Sequence, residues 1–149
     1  MGVRIGVDDA RSVFYADFEG VVSDELISAF YREAQGYISS KTKSGLIDFS
    51  NVTEANIGAG TIRKLAESPP LAPEGLPRVV VAPQDLIFGM MRMFEGIGAE
   101  TREDLRIVRS LEEAYKFLNI DELEIRTLCE LDQGQSGEIR SISPGLQHE

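Results

Sequence analysis

The chain has 149 residues, with 25 acidic against 15 basic side chains and a formal charge of -10, a length that suits one domain built on a single sizeable core. So acidic a surface repels a phosphate backbone or an anionic bilayer, which excludes nucleic acid as the expected partner. A single cysteine, Cys129, allows no intrachain disulfide, and no window reaches the roughly 20 apolar residues of a membrane span, so no transmembrane segment is expected.

Met1 to Arg11 has neither the basic start nor the apolar run of a secretion signal, and a soluble cytoplasmic protein is expected. Val3, Ile5 and Val7 alternate with Arg4 and Gly6; turn chemistry follows at Asp8 to Arg11, then a second strand from Val13 to Phe18, which predicts a hairpin. Ser23 stands where an N-cap belongs, Asp24 and Glu25 suit a first helical turn, and Leu26, Ile27, Phe30, Tyr31, Ala34, Tyr37 and Ile38 recur at helical spacing. After polar Ser39 to Ser44, a short buried strand over Gly45 to Phe49 is expected to deliver Asp48 and Ser50 to the carboxyl edge of a sheet, where sites form.

Asn51 to Asn56 reads as a loop, Ile57 to Glu67 as a helix with Ile62, Leu65 and Ala66 facing in, and Leu71 to Pro77 as a proline-stiffened loop. Val79 to Val81 has the unbroken β-branched run of a strand covered on both faces, and Leu86 to Ile97 is the helix that such a strand uses to cross over. Leu105 to Val108 predicts a last strand, and Ser110 with Glu113 forms a capping box for a helix carrying Leu111, Ala114, Phe117 and Leu118. About five strands, the first two an N-terminal antiparallel hairpin and the rest alternating with four or five helices, predict an α/β fold with an open, mostly parallel sheet. Residues 1–120 are expected to form this domain. Residues 121–149 hold seven acidic residues and two arginines, about half of the net charge; Ile120, Leu123, Leu128 and Leu131 suggest a short helix, and Gln133 to Glu149 has the composition of a disordered tail.

Leu46-Ile47-Asp48-Phe49-Ser50-Asn51-Val52-Thr53, followed by the glycine-containing stretch Ile57 to Thr61, resembles the signature of the STAS superfamily of sulfate-transporter and anti-sigma-factor-antagonist domains. Val81-Ala82-Pro83-Gln84-Asp85, Phe88-Gly89-Met90, Arg92-Met93-Phe94 and Val108-Arg109-Ser110-Leu111-Glu112-Glu113-Ala114 resemble its bacterial SpoIIAA-like, STAS/CRAL-TRIO-like branch. The resemblance spans about residues 3–120 and implies a SpoIIAA-like open sheet and a regulatory or protein-interaction role. Phospho-regulated antagonists carry a serine at the start of the second helix; Asn56, Ile57 and Gly58 stand there in this chain, with Thr53 and Thr61 nearby.

Asp48, Ser50 and Asp85 at strand ends could form a small acid–base site, but each also suits a cap or turn, and capping is the preferred reading. His148, the one histidine, lies in the tail, and Cys129 has only Arg126 as a basic neighbour, so neither triad nor metal site is expected. Gly58-Ala59-Gly60 with Arg63 and Lys64 could cradle an anion, though Arg63 occupies the third glycine's place in a dinucleotide loop. The helix from Leu86 is apolar nearly all round. Placing Met90, Phe94 and Ile97 on one face with Leu86 and Ile87 leaves Phe88 and Met91 on a flank for a second subunit, a partner or a ligand.

The expected function is a non-catalytic STAS-like interaction module needing no cofactor, with a protein partner or a homodimer. Its contact surface is placed at Asp48, Ser50, Thr53, Asn56, Gly58, Thr61, Asp85, Phe88 and Met91. The alternatives are a carrier or sensor of a small apolar or lipid-like ligand, with peripheral membrane contact allowed, and a small enzyme using Asp48 and Asp85.

Overall fold

Residues 2–8, 12–68, 76–97, 104–119 and 139–142 are described by a computed structural model of the chain. The expected hairpin is present: β1 (Gly2–Asp8) pairs antiparallel with β2 (Val13–Ser23) from Gly2 opposite Glu19 to Asp8 opposite Val13. Then α1 (Asp24–Ala34), β3 (Ser44–Asn56), α2 (Ala59–Glu67), β4 (Arg78–Val81), α3 (Asp85–Ile97) and β5 (Leu105–Val108) alternate, before α4 (Leu111–Leu118) and β6 (Ile139–Ile142). The strands form one sheet in the order β5-β4-β3-β2-β1-β6, parallel from β2 to β5 and antiparallel at β1 and β6.

Each crossover from β2 to β5 moves one strand further in the same direction, so right-handed connections put α1, α2 and α3 on one face. Packing agrees. Ile27 and Phe30 of α1, Ile62 of α2, and Ile87 and Met91 of α3 share a core with Ile5, Ala16, Phe18, Phe49, Val80 and Ile107. At its centre the Phe18 ring meets Phe30 edge-on at 5.0 Å and Phe49 at 4.7 Å. On the opposite face Ala114, Leu111 and Leu118 of α4 pack with Val13, Tyr15, Leu46, Val79 and Val81. Strands β3 and β4 are thus covered on both sides, which is why Val79, Val80 and Val81 run without alternation.

Helix starts follow the sequence. The Ser23 hydroxyl accepts from the Leu26 amide at 3.2 Å, and the Ser110 hydroxyl accepts from the Glu113 amide at 3.3 Å. Beside the hairpin, Gly6 is required by close approach: a Cβ there would stand 2.5 Å from Cζ and Oη of Tyr15, whose ring crosses the glycine on the adjacent strand.

Three expectations are corrected. Strands β2 and β3 run well past Phe18 and Phe49, and Asn51 to Asn56 is strand rather than loop, because the two extend together as a ribbon whose inner side buries Val22 and Val52. On α3 the buried stripe is Ile87 and Met91, four residues apart, while Leu86 is 58% and Ile97 37% exposed, so Met91 belongs to the core and not to an outer flank. Inside the expected tail, Ile139–Ile142 pairs with Val3 to Gly6 and makes β1 an interior strand; the Gly-, Ser- and Gln-rich composition around these four residues hid this. The expected helix near Leu123 to Leu131, most of the Leu71–Pro77 loop, Cys129 and His148 lie outside the described residues. No helix among the described residues is long and apolar enough to cross a membrane.

A chain shortened to end at Glu138 loses the β6 ladder and leaves β1 as an open edge. At about 1 kcal/mol net per ladder hydrogen bond, the expected loss is a few kcal/mol, a fall in Tm of roughly 5–15 °C. Differential scanning calorimetry checks it; an unchanged Tm shows that β6 contributes nothing to the sheet's stability.

Candidate functional site

Asp48 lies level with Val81, the last residue of β4, but β3 continues beyond it, so its carboxylate faces a strand irregularity and not an open edge. Between Asp17 and Glu19 on β2 the partner strand advances from Asp48 to Asn51, one residue more, and this bulge frees the Ser50 amide from the ladder. Asp48 Oδ1 accepts from that amide at 2.9 Å and also from the Ser50 hydroxyl. The pair therefore holds the bulge, as the capping interpretation expects. Gln84, just before α3, ties the β4–α3 junction to the same place: its Nε2 donates to the carbonyls of Phe49 and Val52, each at 3.0 Å.

The register also sets Asp17 directly beside Asp48, a juxtaposition that the sequence did not disclose because the partners are 31 positions apart. Burial pushes the Asp17 carboxyl from 3.8 up to about 6; the Asp48 carboxylate adds to the rise, whereas Arg4 and a hydrogen bond from Asn51 oppose it. Arg4, opposite Asp17 on β1, lies 3.6 Å from Glu19.

The remaining expected site residues fall elsewhere. Thr53, Asn56 and Gly58 are exposed at the end of the β2–β3 ribbon and Thr61 is half-buried in α2. The Asn56 amide donates to Glu54, and the Gly58 amide donates to Asp24 Oδ1 at 3.0 Å, so the start of α2 receives its negative charge from α1. Asp85 is the first residue of α3 rather than its N-cap, 93% exposed at its side chain, and it pairs with Arg109, whose guanidinium also lies 4.6 Å from the centre of the Phe88 ring. The structure thus gives Asp48 and Asp85 separate partners and separate settings.

Met91 alone among the expected residues borders the feature that stands out on the helical face, a cavity of about 90 Å³. Helix α1 lies over β1 and β2, whereas α2 and α3 pack on each other and α3 reaches over β3 and β5, which leaves a gap above the start of β3. Gly45 supplies part of its floor: with no side chain there, Phe14 and the Arg78 stem flank an opening that Ile47, Val80 and Leu105 continue. Ile27, Phe30 and Tyr31 of α1, Ile62 and Leu65 of α2, and Met91 and Phe94 of α3 close it from above. Its residues look like ordinary core in the sequence; only Gly45, opening a buried strand, marked a missing side chain. No protein-family model matches the chain, and no curated protein matches it.

Because the fold holds the Asp17 proton more tightly than the unfolded chain does, its advantage is full below about pH 3.8 and is lost as pH rises through about 6. Asp17→Asn removes the buried charge but keeps an acceptor for Asn51. The variant should melt with the wild type at about pH 4 and above it at about pH 7.5. Thermal melts across that range test this, and a variant less stable than wild type at both ends rules out the charge as the cause.

Proposed function

We propose that this chain is a non-catalytic binding domain of SpoIIAA-like (STAS-like) architecture that holds a small apolar molecule between its sheet and α1, α2 and α3. One observation carries the proposal: the cavity is almost wholly apolar and is bounded by three separate helices and the sheet. Its size is of the order of the roughly 150 Å³ apolar space known to stay dry and bind benzene. Methionine at position 91 and the aromatic rings of Phe30 and Phe94 suit such a guest, since they adapt to its shape without polar atoms of their own. The non-catalytic part is supported by the roles of the candidate carboxylates, Asp48 at a strand bulge and Asp85 in an exposed ion pair.

A second reading, a protein-interaction module, is favoured by one feature. Thr53, Asn56 and Gly58 are exposed together where the β2–β3 ribbon projects past β4. Satisfaction of the Gly58 amide by Asp24 speaks against a phosphate at that helix start and for contacts made by side chains.

Gly45→Leu separates the two readings. A Cβ at Gly45 would have Arg78 Cγ at 3.4 Å and Phe14 Cδ2 at 3.8 Å, so the remainder of a leucine side chain has only the cavity to enter. In titration calorimetry 1-octanol should bind the wild type at one site and bind Gly45→Leu at least about tenfold more weakly, a loss of about 1.4 kcal/mol. The substituted chain should melt no lower than wild type, because filling the space restores contacts. Absence of saturable 1-octanol binding to the wild type contradicts the ligand reading and leaves the interaction module.

A further inference from the structure

We propose, resting on the cavity as a ligand site, that its ligand is a neutral molecule with a single aromatic ring, recognised by the aromatic side chains that border the space. The chain has 7 phenylalanines, 4 tyrosines and no tryptophan. Of these, Phe14, Phe30, Tyr31, Phe49 and Phe94 all border this one cavity, so close to half of the chain's aromatic rings are gathered around one small space.

The rings come from four elements. Phe14 lies on β2 and Phe49 on β3, in the sheet, while Phe30 and Tyr31 belong to α1 and Phe94 to α3, so a guest is met by π systems from the sheet and from two helices. An aromatic ring has a negative face and a positive edge; a guest ring can turn its edge to one such face and its own face to another edge, and a saturated ring offers neither. Met91 adds a polarizable sulfur, which favours aromatic neighbours. The wall is also braced from behind. Phe18, fully buried, meets Phe30 edge-on at 5.0 Å and Phe49 at 4.7 Å, and Phe14 lies 6.4 Å from Phe30 at a tilt of 38°. Three of the rings are thus held before a guest arrives, and little side-chain ordering opposes binding.

Charge and size define the rest of the class. The boundary is almost wholly apolar, and its polar members are engaged: the Thr42 hydroxyl oxygen accepts from the Ser39 amide at 3.1 Å, and the Arg78 guanidinium has partners within the protein, its Nε donating to the Leu76 carbonyl at 3.3 Å. A charged head group would lose its hydration there without a new partner, which selects a neutral guest. A volume of about 90 Å³ is of the order of the space that holds one benzene, which limits the guest to one ring.

The test compares toluene with methylcyclohexane, the saturated ring of the same carbon skeleton, on the wild type, Phe30→Leu and Phe94→Leu. Headspace gas chromatography over protein solutions gives the bound amount of each volatile probe, and each affinity is divided by that probe's own water-to-alkane partition coefficient, so that only contacts specific to the site remain. The wild type should bind toluene at one site and, after this correction, prefer it by at least about threefold. Both leucine variants keep an apolar boundary; with folding checked by thermal melts, they should lose most of the preference and hold methylcyclohexane within about twofold of wild type. Equal corrected binding of the two probes by the wild type, or a preference unchanged in both variants, overturns the aromatic assignment and leaves the apolar site standing. Failure of both probes to bind the wild type at a saturable site removes the site itself and the assignment with it.

Discussion

The parallel pairing of β2 with β3 is the constraint on which the other features depend. These are the two longest strands and they occupy the middle of the sheet, paired from Val13 opposite Ser44 to Ser23 opposite Asn56 with register shifts after Asp17 and after Gly20. Because strand side chains alternate, a slip of one residue on β2 would carry Phe14, Ala16 and Phe18 out of the three-helix core and put Tyr15 and Asp17 in their place. The observed register instead sets Gly45 beside Phe14, which opens the cavity floor, and Asp48 beside Asp17, which places two carboxylates on the other face. The bulge fastened by Asp48 and Ser50 then lets the same two strands continue as a ribbon beyond β4.

These two consequences use opposite faces and obey different chemistry. On the face carrying α4, burial, helped by the neighbouring Asp48, raises the Asp17 carboxyl to about 6 and makes that part of the sheet sensitive to acidity. On the face carrying α1, α2 and α3, apolar side chains of the three helices and the sheet line the cavity. An apolar molecule seated there would cover side chains that border the opening, which is the physical basis of the ligand reading proposed above.

Local signals in the sequence were sufficient for the alternating elements: the hairpin, the Ser23 and Ser110 caps, and the valine run of β4 are all written in neighbouring residues. Features set by partners distant in the chain were not. The ribbon from Asn51 to Asn56 is polar on its outer side and reads as loop until β2 is laid beside it, and β6 is four residues in a Gly-, Ser- and Gln-rich stretch that becomes strand only through its ladder with β1. Helix α3 is apolar on so many sides that spacing alone could not choose its buried stripe; the choice of Ile87 and Met91 over Leu86 and Ile97 is made by where the sheet and α2 lie. Of the candidate site residues, Asp48 and Ser50 do touch each other, but at a bulge within β3 and not at the carboxyl edge of the sheet where they were expected, whereas Asp17 and Gly45 acquire their meaning only from strand register.

The central claim is that the space above Gly45 and Ile47 is a preformed apolar site. Diffraction from crystals held under xenon pressure tests it most directly, since xenon enters dry apolar cavities and needs no polar partner. The account predicts ordered xenon bordered by Phe30, Ile47, Ile62 and Met91 with the sheet unmoved. Crystals that show no xenon there, with Met91 or Phe94 turned in to fill the space, would contradict it.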